Sequence, residues 1–317
     1  MPSSVSRKSW LLLAPAVLLL GVVAYRAGVL AEAGDAPGPA PAARAMAAPL
    51  PAMAPQRERS RAERLSVVLG DDGLPLNRRA AFERSQDLYG YAQQLRGAAD
   101  AGDAEAAWLV SRVYDYCAGY AMNPDGYAAD TRAIRDAQLS TSANMAQARE
   151  RVGRRCAGFV PGDGLTRQAI VAQRVQAARG GNLAAEAALL ALGMPLQRSP
   201  GYKRDLVERV QASGDPDAYL ALAPAMGLAA SGDDSLDERV AGTAFTELAW
   251  QLAACRLGLD CGPDSSLMTS YCANGGICSQ DPTQDFSSFV YDAAVPRQGT
   301  DTMNDMVNHL VETGAGS

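Results

Sequence analysis

The fold is decided by the stretch Ala98–Tyr114, which reads AADAGDAEAAWLVSRVY. One alanine-rich helical run ends there at Gly102, and a second run begins at Asp103. Glycine adopts the left-handed conformation that closes a helix, and an aspartate side chain accepts hydrogen bonds from the free N–H groups of the next helix. A connection this short makes neighbouring helices antiparallel. The stretch therefore predicts a helical hairpin.

The same turn chemistry recurs twice further along the chain. Gly181 is followed by Asn182, and Gly214 is followed by Asp215 and by Pro216, which suits the first position of a helix. The three turns lie 79 and 33 residues apart, so a regular repeat period is not established. The sequence predicts antiparallel helical hairpins, arranged either as a degenerate repeat or as an irregular helical bundle.

Composition favours an all-α fold and argues against nucleic acid as a partner. The 317 residues are 48% hydrophobic, which is enough to fill a core, but only 6% aromatic, and alanine dominates the middle of the chain. The formal net charge is −6, and Lys8 and Lys203 are the only lysines among 29 basic residues. No basic stripe is present that could neutralise a phosphate backbone.

The stretch Ala98–Tyr114 resembles the Sel1-like branch of tetratricopeptide-type repeats, whose units read roughly A-x-x-G-D/N-x-x-A-x-x-x-L-G-x-x-Y. Ser111 replaces the second glycine of that pattern, and the units at Gly181 and Gly214 lack its terminal tyrosine. The resemblance covers about a third of the chain. It implies an α/α architecture and an adaptor that binds partners through a concave face.

The N-terminus predicts export from the cytoplasm. Arg7 and Lys8 precede an uncharged, largely apolar stretch from Trp10 to Tyr25, as in a signal peptide or a signal anchor. We interpret residues 1–33 as a signal anchor, because the apolar stretch is longer than most cleaved ones. The alternative is cleavage at Ala31-Glu32-Ala33. These interpretations place the protein in the bacterial inner membrane with a periplasmic C-terminal domain, or free in the periplasm.

A linker and one folded domain are predicted after the export segment. Residues 34–62 are rich in alanine and proline, and prolines at this density prevent helix and promote an extended spacer. Residues 63–317 are predicted to form a periplasmic all-helical domain, with a cysteine-rich C-terminal part from about residue 235.

Six cysteines follow the apolar segment and predict disulfides rather than a metal site. The last four are separated by five, ten and five residues, whereas zinc sites use closer pairs, and His309 is the single histidine. Disulfides are consistent with an oxidising compartment. The six residues are Cys117, Cys156, Cys255, Cys261, Cys272 and Cys278.

Proximity in the chain suggests a pairing of these cysteines. Cys117 and Cys156 bracket one excursion of the chain and are expected to pair. If residues 248–257 and 265–273 form a hairpin, equal distances from its turn favour two further bonds. These are Cys255 with Cys272 and Cys261 with Cys278.

No motif identifies a catalytic, cofactor or metal site. His309 lies eight residues from the end, and the glycine patterns of nucleotide-binding folds, G-x-S-x-G and C-x-x-C are all absent. Glycoside cleavage needs only carboxylates, so a peptidoglycan-cleaving enzyme remains open. The candidates for its catalytic acid are Glu105, Glu186, Glu208 and Glu247. Each is interpreted first as a solvated charge on a helix.

Two functions are therefore predicted as alternatives. The preferred one is a non-enzymatic, membrane-tethered adaptor for an unidentified envelope protein, and the other is a cell-wall-active enzyme with a carboxylate acid. Trp108 and Tyr114, two of the candidate contact residues, have the helical spacing of residues in a hairpin core, and we interpret them first in that way. The full candidate contact set is Trp108, Tyr114, Tyr116 and Tyr120.

Overall fold

The computed structural model describes residues 68–69 and 75–314, and this part of the chain is all-helical, as predicted. The predicted signal anchor at residues 1–33 and the predicted linker at residues 34–62 lie outside the described residues. Within the described ranges, no helix is long and apolar enough to cross a membrane.

The described residues include thirteen α-helices, which form the all-helical fold, and one pair of two-residue strands that precedes them. Strands β1 (Val68–Leu69) and β2 (Pro75–Leu76) pair in antiparallel orientation, with Val68 opposite Leu76. The helices in chain order are α1 (Arg78–Arg84), α2 (Leu88–Asp100), α3 (Ala104–Ala121), α4 (Pro124–Asp136), α5 (Ser142–Arg155), α6 (Arg167–Arg179), α7 (Leu183–Ala191), α8 (Pro200–Ser213), α9 (Pro216–Met226), α10 (Ala244–Arg256), α11 (Ser266–Gly275), α12 (Phe286–Ala293) and α13 (Thr300–Gly314).

The three predicted helix-to-helix turns are present and join α2 to α3, α6 to α7, and α8 to α9. Gly102, Gly181 and Gly214 have φ angles of 94°, 93° and 58°, in the left-handed region that favours glycine. The side chains of Asp103 and Asn182 cap the next helices by accepting hydrogen bonds from backbone N–H groups. Local turn chemistry therefore determines these connections.

Small residues allow some of the helices to pack closely. Ala184, Ala185 and Ala187 of α7 are fully buried, which allows α7 to pack closely against α6 and α9. Helix α3 packs against α2 and α6, and α10 packs against α9 and α13. The pair α4–α5 is inserted between the first and second hairpins, and α5 packs against α11. The hairpins and the C-terminal helices share one hydrophobic core.

The structure contains three disulfides and confirms the prediction that Cys117 pairs with Cys156. This bond joins α3 to the residue that follows α5. The predicted bonds Cys255–Cys272 and Cys261–Cys278 are wrong. The structure instead pairs Cys255 with Cys261 and Cys272 with Cys278.

The pairing of the last four cysteines follows from how α10 and α11 end. These helices do not form the expected hairpin, since the main neighbours of α10 are α9 and α13, and the main neighbour of α11 is α5. Gly258 and Gly276 have φ angles of 105° and 68° just after the two helices. Each left-handed residue reverses the chain, so Cys261 and Cys278 return to the ends of their own helices.

Candidate functional site

A cleft of about 440 Å³ lies between α3 and α9 and is here called the α3–α9 cleft. Helices α1, α6, α7 and α11 contribute the rest of its lining. Its apolar wall consists of short or branched side chains of α9, of α7 and of the residue that follows α7. They include Ala188, Leu192, Leu220, Ala221 and Pro224. The cleft therefore offers an apolar surface opposite a polar one.

The polar wall is one face of α3. Trp108, Arg112, Asp115 and Tyr116 follow one another at helical spacings of four, three and one residues, which places them on the same side of the helix. At about 1.5 Å per residue, this face extends roughly 12 Å from Trp108 to Tyr116. The stretch that predicts the hairpin thus also begins the wall of the cleft.

Arg112 organises an ion-pair network at one end of the cleft. Its Nη1 donates to Asp217 Oδ1 at 3.0 Å, and its Nη2 donates to Glu83 Oε1 at 3.3 Å. The guanidinium carbon lies 4.3 Å from the centre of the Phe82 ring. Glu83 also accepts hydrogen bonds from the backbone N–H and hydroxyl of Ser266. The network therefore holds α1, α3, α9 and α11 together around the cleft.

Arg174 of α6 forms a second, less complete pair. One of its Nη atoms donates to Asp115 Oδ2 at 2.6 Å, and its guanidinium carbon lies 5.8 Å from the centre of the Trp108 ring. The Nε atom of Arg174 is buried and has no hydrogen-bond partner. Part of the donor capacity of this arginine is thus unused.

Unpaired buried polar atoms are concentrated around the cleft. Four of the six such side-chain atoms in the described residues belong to residues that line it: Trp108 Nε1, Tyr116 Oη, Arg174 Nε and Asp217 Oδ2. The parent side chains are deeply buried, since the exposed fractions are 4% for Trp108, 8% for Arg174 and 3% for Asp217. Such atoms are rare because each costs about 1–3 kcal/mol. Their clustering marks this cleft as a place where a ligand can supply missing hydrogen bonds.

The charge state of the unpaired groups supports this view. Burial raises the pKa of the Tyr116 hydroxyl, which therefore stays protonated and can donate. The Trp108 indole and the Arg174 guanidinium donate only. The Asp217 Oδ2 atom lies 3.3 Å from Arg79 Nε but forms no hydrogen bond, and it can accept. The cleft thus presents both donors and an acceptor.

The structure separates the four aromatic residues predicted as partner contacts. Trp108 and Tyr116 line the α3–α9 cleft. Tyr114 packs edge-on against Phe159 and accepts hydrogen bonds from Arg96, and Tyr120 packs against Tyr127. Only Trp108 and Tyr116 share one site.

The four glutamates considered for glycoside cleavage do not line the cleft. Glu105 lies 3.6 Å from Arg79, and Glu208 pairs with Arg239 at the surface. Burial alone would raise the pKa of Glu186, but hydrogen bonds from Arg209 and Tyr202 outweigh it and the pKa is lowered. Burial raises the pKa of Glu247. Among the described residues, no group of three or more His, Cys, Asp or Glu side chains could hold a metal ion.

Sequence reasoning missed the charged members of the site: Arg112, Asp115, Arg174 and Asp217. A signal existed for Arg112, because it stands four residues after Trp108 on the same helical face. Arg174 and Asp217 lie on other helices, and no local pattern indicates that they converge on α3. Their contribution requires the packed structure.

No family model matches this chain, and neither a curated protein nor a solved structure matches it. The Sel1-like resemblance therefore stays a prediction that depends on the residues from Ala98 to Tyr114.

Proposed function

We propose that this protein is an interaction module of the bacterial envelope that binds a partner protein in the α3–α9 cleft. The observation that carries the proposal is the cluster of unpaired donors and acceptors beside an apolar wall. A partner that fills the cleft removes apolar surface from water and also provides the missing hydrogen bonds.

Two further features support a location outside the cytoplasm. All six cysteines pair in disulfides, which persist mainly in oxidising compartments. The charged and then apolar N-terminal sequence is typical of export. In the proposed arrangement, residues 1–33 tether the protein to the inner membrane and the helical domain operates in the periplasm.

The alternative of a cell-wall-cleaving enzyme receives less support. A carboxylic acid that protonates a glycosidic oxygen needs a raised pKa and a position in the substrate cleft. Glu247 has the raised pKa but is not among the residues that line the α3–α9 cleft. The carboxylates that do line it, Asp115 and Asp217, are paired with arginines.

Site-specific photocrosslinking of the full chain in its own membrane tests the proposal. The photoreactive residue p-benzoylphenylalanine replaces Asn274, an exposed residue of α11 that lines the cleft, or, as the matched control, Ala212 on the exposed surface of α8. We expect a discrete crosslinked protein from position 274 and none from position 212. Equal crosslinking at both positions, or release of soluble fragments from peptidoglycan by the purified protein, would overturn the proposal.

A further inference from the structure

We infer that the α3–α9 cleft binds an extended, uncharged peptide segment of about four residues through its backbone amide groups. In this arrangement, Trp108 and Arg174 donate to a backbone carbonyl of the peptide, and Asp217 accepts from a backbone N–H. The inference rests on the proposed function and specifies the kind of partner segment that the cleft recognises.

The balance of charge in the cleft argues for backbone amides over an ionic ligand. Arg112 and Arg174 provide two positive charges, and Asp115 and Asp217 provide two negative charges that already face them. An added anion would lie close to the carboxylates, and an added cation would lie close to the guanidiniums. A peptide group carries no net charge but offers one donor and one acceptor.

The unpaired donors and acceptor of the cleft also match the donor and the acceptor of a peptide group. The two most deeply buried unpaired donors, Trp108 Nε1 and Arg174 Nε, belong to side chains whose charge centre and ring lie 5.8 Å apart. A single carbonyl oxygen has two lone pairs and can accept from both. The acceptor that lacks a hydrogen bond, Asp217 Oδ2, lies 3.3 Å from Arg79 Nε. It belongs to the partner of Arg112, one helical turn further along α3.

The dimensions of the polar wall suit an extended chain. The face from Trp108 to Tyr116 is roughly 12 Å long, and an extended chain rises about 3.3 Å per residue, so about four residues span it. The side chains of such a segment alternate, so every second one can lie on Leu192, Leu220 and Pro224. Ala191 borders both this cleft and a second cavity of about 400 Å³, so a longer segment can continue past it.

Binding requires a local adjustment of side chains. The unpaired atoms are buried from solvent, so Trp108 and Arg174 must turn toward the peptide. Their missing hydrogen bonds in the free protein favour that change, because it exchanges an unpaired state for a paired one.

Selection from a random peptide library tests the inference with defined probes. The full chain in detergent micelles is used to select from random octapeptides, and enriched sequences are synthesised with acetylated and amidated ends, so that only internal amides are available. We expect enrichment of an apolar residue at one position. We also expect Trp108→Phe, which removes only the indole N–H from the donor set, to weaken binding about ten-fold.

Matched variants distinguish recognition from a loss of folding. Ala221→Phe fills the cleft and should abolish binding, whereas Ala212→Phe adds the same ring on the exposed surface of α8 and should leave it unchanged. Thermal unfolding of every variant confirms that the comparison is made between folded proteins. Peptide binding that survives both Trp108→Phe and Ala221→Phe would overturn the inference.

This test can fail separately from the proposed function. If position 274 crosslinks a partner protein while no capped peptide binds, the cleft recognises a folded surface. The peptide inference is then wrong and the interaction module stands. If position 274 crosslinks no protein and no peptide binds, both proposals are overturned.

Discussion

Trp108 and Trp250 are both almost completely buried, yet only one of their indole N–H groups has a hydrogen-bond partner. Trp250 Nε1 donates to the carbonyl oxygen of Val240 at 2.8 Å. The neighbouring Tyr219, whose ring centre is 5.0 Å from that of Trp250, donates to the carbonyl oxygen of Leu310 at 2.8 Å. Trp108 Nε1 has no such partner and borders the α3–α9 cleft.

The difference separates a structural region from a binding region. Trp250 and Tyr219 are buried and their polar atoms are hydrogen-bonded, so both side chains contribute to folding stability. Around Trp108, the protein tolerates polar groups whose partners are missing, which lowers stability without an evident structural gain. Such groups are expected where a ligand completes the hydrogen bonds. The two tryptophans thus identify which part of one helical fold is adapted for recognition.

The largest expected effect comes from the disulfides that fix the helices of these two regions. Cys117–Cys156 anchors α3 of the Trp108 region and closes a sequence separation of 39 residues, whereas Cys255–Cys261 in the Trp250 region closes one of 6. In the chain-entropy model, their removal lowers the free energy of unfolding by about 4 and about 2 kcal/mol, respectively. Urea denaturation of the two double Cys→Ala variants measures both values.

The order of the two values is the informative result. A larger loss for Cys255→Ala/Cys261→Ala would mean that native contacts near α10, rather than loop closure, determine what each bond contributes. The reduced wild-type protein provides the control, because it should show the sum of all the disulfide contributions.

A second, smaller effect compares the tryptophans directly. Trp250→Phe removes buried ring atoms and leaves the Val240 carbonyl without its donor, so we expect the free energy of unfolding to fall by about 2 kcal/mol. Trp108→Phe loses similar ring area but also removes an unpaired N–H, so we expect a loss of at most about 1 kcal/mol. Urea denaturation of both variants under identical conditions measures the difference.

Equal losses would contradict the comparison between the regions. They would show that Trp108 contributes to the fold as Trp250 does, and that its unpaired N–H has no special cost. The tryptophan variants also serve the peptide-binding test, where only Trp108→Phe should change the affinity.

Local chemistry explains which features of this fold could be predicted from the sequence. The turns at Gly102, Gly181 and Gly214 depend on a few consecutive residues, and the sequence predicts all three correctly. The pairing of Cys117 with Cys156 also follows from the excursion that they bracket. The all-α class follows from alanine content and hairpin turns, which act along the whole described chain.

Tertiary packing explains what could not be predicted. The pairing of the last four cysteines depends on left-handed residues, Gly258 and Gly276, which send each chain end back toward its own helix. The cleft depends on Arg174 and Asp217, which reach α3 from α6 and α9. Their sequence separations of 59 and 105 residues from their partners leave no local pattern.

The smallest expected effect is on how stability depends on pH, and it concerns one glutamate in each of the two regions. Glu186 lies on α7, the helix that provides Ala188 and Ala191 to the cleft, and accepts hydrogen bonds from Arg209 and Tyr202. Glu247 lies on α10 three residues before Trp250, and burial is the one cause of the raised pKa of its carboxyl group, to which no side-chain hydrogen bond contributes. The binding region thus also contains a carboxylate with hydrogen-bond partners, and the structural region contains a partly buried carboxylate whose charged form burial disfavours.

The pKa shifts of these two glutamates predict opposite dependences of stability on pH. The pKa of Glu186 is lowered from 4.5, so its contribution is present above pH 4.5 and is lost as the pH falls through the lowered pKa. The pKa of Glu247 is raised from 4.5 by burial, so its contribution is present below pH 4.5 and is lost as the pH rises through the raised pKa. Urea denaturation between pH 3 and pH 8 should show that Glu186→Gln reduces stability at neutral pH, while Glu247→Gln increases it by less than about 1 kcal/mol. A destabilising Glu247→Gln at neutral pH would show that the ionised carboxylate has a partner, and α10 would then be a fully satisfied structural region.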